Sequence, residues 1–172
     1  MPPRHRPPRA LKRDLPMSDQ PDAPGVVIHP PIALAIALVL AFALNWFWPL
    51  PFVPPTIPHI QAGVLLVIGA LLIIRWAAVT FRQAHTNILT SQAATTIVAT
   101  GPFAYSRNPI YVAALIGMAG AAIAFDSLWF LLALVVIWFV LRYGVIAREE
   151  TYLKHKFGGA YLDYKSKVRR WL

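Results

Sequence analysis

Apolar runs recur along the chain at 32–48, 60–81, 109–125 and 128–147, and the segments between them are polar, proline-rich or very short. The first run holds 17 residues without a charge. As a helix it would reach about 26 Å at ~1.5 Å per residue, close to the thickness of a bilayer's hydrocarbon core. Ala33, Ala37 and Ala41 fall at four-residue spacing along it, a ridge that lets another helix approach closely. Trp46, Phe47 and Trp48 read as an interfacial aromatic belt, and Pro49 ends the run. A cleavable signal peptide is the rival reading of this run, with Ala41-Phe42-Ala43 as a cleavage-like site, but three further spans follow it. The third run carries a second small ridge, Ala113, Gly117 and Ala121. Asp126-Ser127 then makes a tight turn and can cap the fourth run. No breaker follows until Gly158-Gly159, so the fourth helix should run about thirty residues and emerge from the bilayer. The pattern predicts an all-α polytopic membrane protein with about four transmembrane helices and a C-terminal helical extension.

Composition strengthens that picture. Hydrophobic residues make up 58% of the 172 and charged ones only 13%, against about 25% charged in soluble domains. The formal charge of +9 could indicate nucleic acid in a soluble protein. Here five basic residues lie in 1–13 and eight in 142–170, flanking the apolar runs. That placement fits lipid headgroups rather than nucleic acid. The turns at 49–59 and 126–127 carry no Lys or Arg, whereas the N-terminus, the 82–108 connection and the C-terminal third do. Four spans with both termini cytoplasmic satisfy this asymmetry. Residues 1–31 are proline-rich and lack apolar periodicity, which predicts a disordered segment ahead of a domain at 32–172. Met17 offers a second start, leaving 1–16 as an upstream extension. With no cysteine and five scattered histidines, no metal site is expected.

Candidate chemistry gathers at the helix ends with the basic residues. Residues 86–108 form a connection too long for a turn, which is usually functional or disordered. It closes on Gly101-Pro102 and Arg107-Asn108-Pro109, where Asn108 can cap the third helix and Pro109 can open it. Arg142, Arg148, Glu149 and Glu150 lie at the far end of the fourth run. Arg142 and Glu149, seven residues apart, should share a helix face. Arg75, Arg82 and His85 border the same side, either as an interfacial cluster or beside an anionic ligand. From the residues alone, these groups read equally as snorkelling side chains or as a site. No Gly-x-Gly-x-x-Gly and no strand–helix alternation marks a soluble nucleotide fold.

Gly101-Pro102-Phe103, Ser106-Arg107-Asn108-Pro109-x-Tyr111 and Glu149-Glu150-x-x-Leu153-x-x-x-Phe157-Gly158-x-x-Tyr161-x-x-Tyr164 together resemble the isoprenylcysteine carboxyl methyltransferase family and its phospholipid methyltransferase relatives. The resemblance covers residues 86–172. It implies S-adenosylmethionine as cofactor, contacted by Thr95, Thr96, Ile97, Val98, Phe103, Asn108, Pro109, Ile110, Tyr111 and Glu149. It further implies that Arg107 and Glu150 frame the reacting pocket and that Arg142 or Arg148 receives an acidic group of the acceptor. The implied partners are membrane lipids and a hydrophobic or lipidated acceptor. Two positions depart from the family pattern. The usual His after the Arg is Asn108, which keeps hydrogen bonding without a titratable base. The eukaryotic prenylcysteine enzymes carry an Arg four residues before the Glu that matches Glu149, and Val145 stands there instead. The acceptor is therefore read only as lipid-like or otherwise hydrophobic. An NADPH-dependent membrane reductase related to sterol reductases, or a non-enzymatic membrane protein, remain the alternatives.

Overall fold

A computed structural model of the chain describes residues 25–84 and 94–172. The expected disorder of the N-terminal segment falls, up to residue 24, outside the described residues, as do His85 and the first part of the 86–108 connection. The elements in order are α1 (Pro30–Phe47), α2 (His59–Gln83), a 3-10 turn (Gly101–Ala104), α3 (Pro109–Ala124), α4 (Leu128–Phe139), a π-helical stretch (Val140–Ile146), α5 (Ala147–Phe157) and α6 (Gly159–Lys167). From α4 through α5 the chain is one continuous helix of 30 residues. Among the described residues, three helices are long and apolar enough to cross a membrane, namely α1, α2 and this composite helix. The fourth apolar helix, α3, has only 16 residues. The all-α membrane architecture expected from the apolar runs is the one observed.

Small residues set how closely the helices approach. The Ala33–Ala37–Ala41 ridge is buried. Ala33 and Ala37 join one core cluster with Ile137, Leu141, Val145 and Ile146, while Ala41 packs with Ala122 and Phe130. α2 and α3 come closest of all. A Cβ placed on Gly120 would lie 2.7 Å from the Gly63 carbonyl oxygen, so two backbones touch where no side chain fits. Further along, Gly117 faces Ala70. The ridge expected at Ala113, Gly117 and Ala121 therefore divides. Gly117 turns toward α2, and Ala121 packs against the cluster of Ala41, Ala122 and Phe130.

The Asp126-Ser127 turn differs from its expected role as a helix cap. Ser127 occupies the N-cap position of α4, but its hydroxyl makes no capping bond and is buried without a partner among the described residues. Asp126 instead reaches across to the proline-rich turn and accepts hydrogen bonds from the Phe52 and Val53 amides at 2.7 and 2.6 Å. Those two N–H groups hold its carboxyl below the usual carboxylate range. The Leu128 amide donates to the Leu50 carbonyl, and the Trp129 indole donates to the Trp48 carbonyl, so the two turns form one end of the bundle.

The opposite end is closed by chain that leaves the helices. Residues 25–31 run against the composite helix, with the Val27 amide donating to the Gly144 carbonyl at 3.4 Å and α1 already begun at Pro30. Gly101, at φ +58°, sets the 3-10 turn against α2, where a Cβ would lie 2.6 Å from the Thr80 hydroxyl. A residue with a side chain would be strained there twice, by conformation and by contact. Gly158, at φ +53°, breaks the helix between α5 and α6 and sends α6 back toward this turn.

Candidate active site

Pro109 starts α3 because it supplies a fixed φ and needs no N–H partner in the first turn. Asn108 occupies the N-cap position, as its sequence context predicts, but it does not cap. Its side-chain amide donates to the Arg170 carbonyl at 2.9 Å instead. The first-turn N–H groups of Ile110 and Tyr111 are thus left without a side-chain acceptor, and both residues line a cavity of about 620 Å³. Small-molecule sites typically span about 300–1,000 Å³.

The cavity is polar at one end and apolar elsewhere. Arg107, Asn108, Tyr111 and Glu149 form the polar end. Ile32 and Leu34 of α1, Ile74 and Phe81 of α2, Ala114 of α3, and Ile137 and Leu141 of the composite helix form much of the rest. His29 stands at the start of α1 and also lines it. Glu149 accepts a hydrogen bond from the Tyr111 hydroxyl at 2.8 Å, which ties α5 to α3 across the cavity. Among the described residues no cation pairs with Glu149.

Arg107 and Glu150 form a second, denser cluster behind that wall. Arg107 Nη1 lies 3.1 Å from Glu150 Oε1, and the two side chains are only 8% and 11% accessible. The same guanidinium donates to the Tyr161 hydroxyl at 3.2 Å, while its Nε is buried without a partner. Arg170 grips Glu150 through two bonds, Nε to Oε1 at 2.8 Å and Nη2 to Oε2 at 2.7 Å. Lys165 approaches the same carboxylate at 3.4 Å. The Tyr164 hydroxyl donates to the Phe103 carbonyl at 2.8 Å. Burial pushes the phenols of Tyr161 and Tyr164 above their ordinary range, so both remain neutral hydrogen-bonding groups at physiological pH.

Of the residues singled out in the sequence, Phe103, Arg107, Asn108, Pro109, Ile110, Tyr111 and Glu149 meet around the one cavity. Glu150 stands behind it. Thr95 and Thr96 are exposed, and Val98 is buried under Phe103 and Ala77 rather than in the cavity wall. Arg142 and Arg148 do not line the cavity either. Arg142 lies over the Tyr143 ring, 5.7 Å from its centre, and Arg148 donates to the Gly25 carbonyl at 2.9 Å. The seven-residue register expected between Arg142 and Glu149 assumes α-helical winding, and the π-helical stretch from 140 to 146 breaks it. Arg75 and Arg82 are exposed and outside the cavity. Sequence reasoning missed His29, hidden in a proline-rich stretch, and Arg170, one of several basic residues in the tail. The tyrosine spacing after Glu150 was a signal for Tyr161 and Tyr164, without indicating their partners.

A helical membrane protein whose cavity joins one helix's N-terminus to a carboxylate on another is the class defined by this geometry. The model of the phospholipid methyltransferase family matches residues 58–160, more than half of the chain, and the chain belongs to that family. An uncharacterized protein of Haemophilus influenzae (strain ATCC 51907 / DSM 11121 / KW20 / Rd) is 54% identical over 41 residues, 24% of this chain and 65% of the relative. The chain thus spans about 65% of the length of that curated relative. No solved structure matches.

Proposed function

We propose that the chain is an integral membrane methyltransferase that uses S-adenosylmethionine to methylate a lipid-like or other hydrophobic acceptor. It works with both termini, and the polar end of its cavity, on the cytoplasmic side. One observation carries the reading. The uncapped first turn of α3 and the carboxylate of Glu149 face a single cavity whose other walls are apolar.

The donor set suits the cofactor. First-turn N–H groups and the positive end of the helix dipole favour an anionic carboxylate, here at Ile110 and Tyr111. Glu149, without a cation of its own among the described residues, suits an ammonium or sulfonium group. Arg107, which lines the cavity, adds a buried Nε donor without a partner among the described residues. When bound, S-adenosylmethionine supplies an activated methyl group. The residues around it have to orient two reactants and exclude water, tasks that need no covalent intermediate. Glu149 is accordingly assigned to binding. Thr95, Thr96, Ile97 and Val98 remain part of the proposed cofactor segment, with Val98 acting from beneath Phe103.

The apolar walls suit an acceptor that stays partly in the membrane. Val145, where the prenylcysteine enzymes carry Arg, is fully buried in the core and offers no cation to an acceptor carboxylate. Arg142 and Arg148 are left with the reception of a headgroup at the surface, outside the cavity.

Calorimetric titration of detergent-purified protein with S-adenosylmethionine tests the reading. A hydrogen bond to a charged group contributes about 1.5–3 kcal/mol. Glu149→Gln should therefore weaken binding by about 10- to 150-fold while the helix content stays unchanged. A folded wild-type protein that binds no S-adenosylmethionine refutes the proposal.

A further inference from the structure

We propose that Arg170 is a positioning residue, through which the C-terminal tail holds the polar wall of the cavity in its working shape. The inference rests on the cofactor reading above and extends it to a segment outside the residues matched by the family model.

The tail touches that wall at every level. The Arg170 guanidinium takes both oxygens of Glu150, and Glu150 in turn holds Arg107, whose side chain lines the cavity. The Arg170 carbonyl accepts from the Asn108 side chain at 2.9 Å and from the Ser106 hydroxyl at 3.4 Å. One residue earlier, the Arg169 carbonyl accepts from the Arg107 amide at 2.9 Å. One residue later, Trp171 packs against the main core cluster and lies 6.5 Å from Trp138, ring centre to ring centre.

The consequence lies in what Asn108 is prevented from doing. An Asn at an N-cap normally turns its side-chain oxygen onto the first-turn N–H groups. Here the Arg170 carbonyl takes the Asn108 amide, and the Asn108 backbone N–H is taken by the Ser106 hydroxyl at 3.1 Å. The tail thereby keeps the end of α3 uncapped and available to a ligand. A basic residue whose own position is fixed by Trp171 and Glu150 is well placed to hold this arrangement. Displacing such a wall by about 1 Å can cost on the order of 100-fold in function.

Two measurements on the full chain in detergent test this, with Lys167→Ala, an exposed basic residue of the same tail, as reference. One is the affinity for S-adenosylmethionine. The other is hydrogen exchange of the amides at 103–108, read against those of α2. Arg170→Ala should weaken the affinity at least about tenfold, equivalent to ~1.4 kcal/mol. It should also speed exchange at 103–108 while α2 stays protected. Arg170→Lys, which keeps the charge but loses the two-point grip, should fall between. Arg170→Ala behaving like Lys167→Ala in either measurement overturns the inference. If Arg170→Ala does not fold, Arg170→Lys is judged by the same two readouts. A wild-type chain that binds no S-adenosylmethionine sinks the cofactor reading, and hydrogen exchange alone then judges the positioning role. The exchange pattern then separately decides whether the tail braces the loop.

Discussion

Replacing Glu150 with Gln removes the charge around which three cations gather while keeping the side chain's size. The structure sets the scale of the loss. Arg107 is 8% accessible and Glu150 11%, so this pair is buried. Breaking a buried pair by removing one partner costs about 3–5 kcal/mol, because the remaining charge stays desolvated. Arg170 at 26% and Lys165 at 43% accessible can recover water and add little, as exposed pairs are worth about 0–1 kcal/mol. Gln still offers Arg107 one acceptor oxygen, which puts the expected loss near the low end, about 3 kcal/mol. At about 2–4 °C per kcal/mol for a chain of this size, Tm should fall by roughly 6–12 °C. Thermal unfolding followed by far-UV circular dichroism in detergent measures it, with Lys165→Ala expected to shift Tm by no more than about 4 °C. If Glu150→Gln lowers Tm no further than Lys165→Ala does, the cluster is solvated and its assignment as a buried frame is wrong.

Other perturbations follow from the same structure. Gly63→Ala places a methyl group against the Gly120 carbonyl and Ala124 and should cost about 1–3 kcal/mol, whereas Gly69→Ala, with open space around it, should cost nothing measurable; equal unfolding curves for the two would refute the backbone contact. The chain has no cysteine, so single cysteines report sidedness directly. Thr56→Cys should react with a membrane-impermeant maleimide in intact cells and Ala104→Cys only after lysis, and the reverse pattern would invert the proposed orientation. Arg142→Ala and Arg148→Ala should raise the acceptor's KM without changing affinity for S-adenosylmethionine, and an unaltered KM in both removes them from acceptor binding.

The helices were legible because a span without charge has few alternatives. Their ends lie within about two residues of the expected ones, fixed by Pro30, Pro109 and Gly158. Much of the candidate site was legible through the motif at 101–111 and the Glu pair. The remainder depended on information that local sequence does not carry. Arg170 looks like its neighbours Lys167 and Arg169, and only the return of the chain after Gly158 selects it for Glu150. Val140 to Ile146 contains nothing that announces π-helical winding, so the seven-residue spacing of Arg142 and Glu149 suggests a shared face that this winding breaks. Asn108 and Ser127 hold suitable cap positions, yet a distant carbonyl takes the Asn108 side chain and the Ser127 hydroxyl is buried without a partner among the described residues. For Asn108 a tertiary partner overrides the local preference.

The shortness of α3 has a bearing on the membrane itself. Sixteen residues reach about 24 Å, roughly 6 Å less than an average hydrocarbon core. Asp126 holds one end of α3 level with the neighbouring turn, so any shortfall against the hydrocarbon core falls at the Pro109 end. A span this short is accommodated by local thinning of the bilayer or by snorkelling of flanking residues, at a cost of fractions of a kcal/mol per Å of mismatch. Where the bilayer thins, a lipid acceptor beside α3 would find its headgroup drawn toward the cavity's polar end. Turnover should then depend on acyl-chain length even for lipids with identical headgroups, making the thickness of the host membrane a determinant of rate.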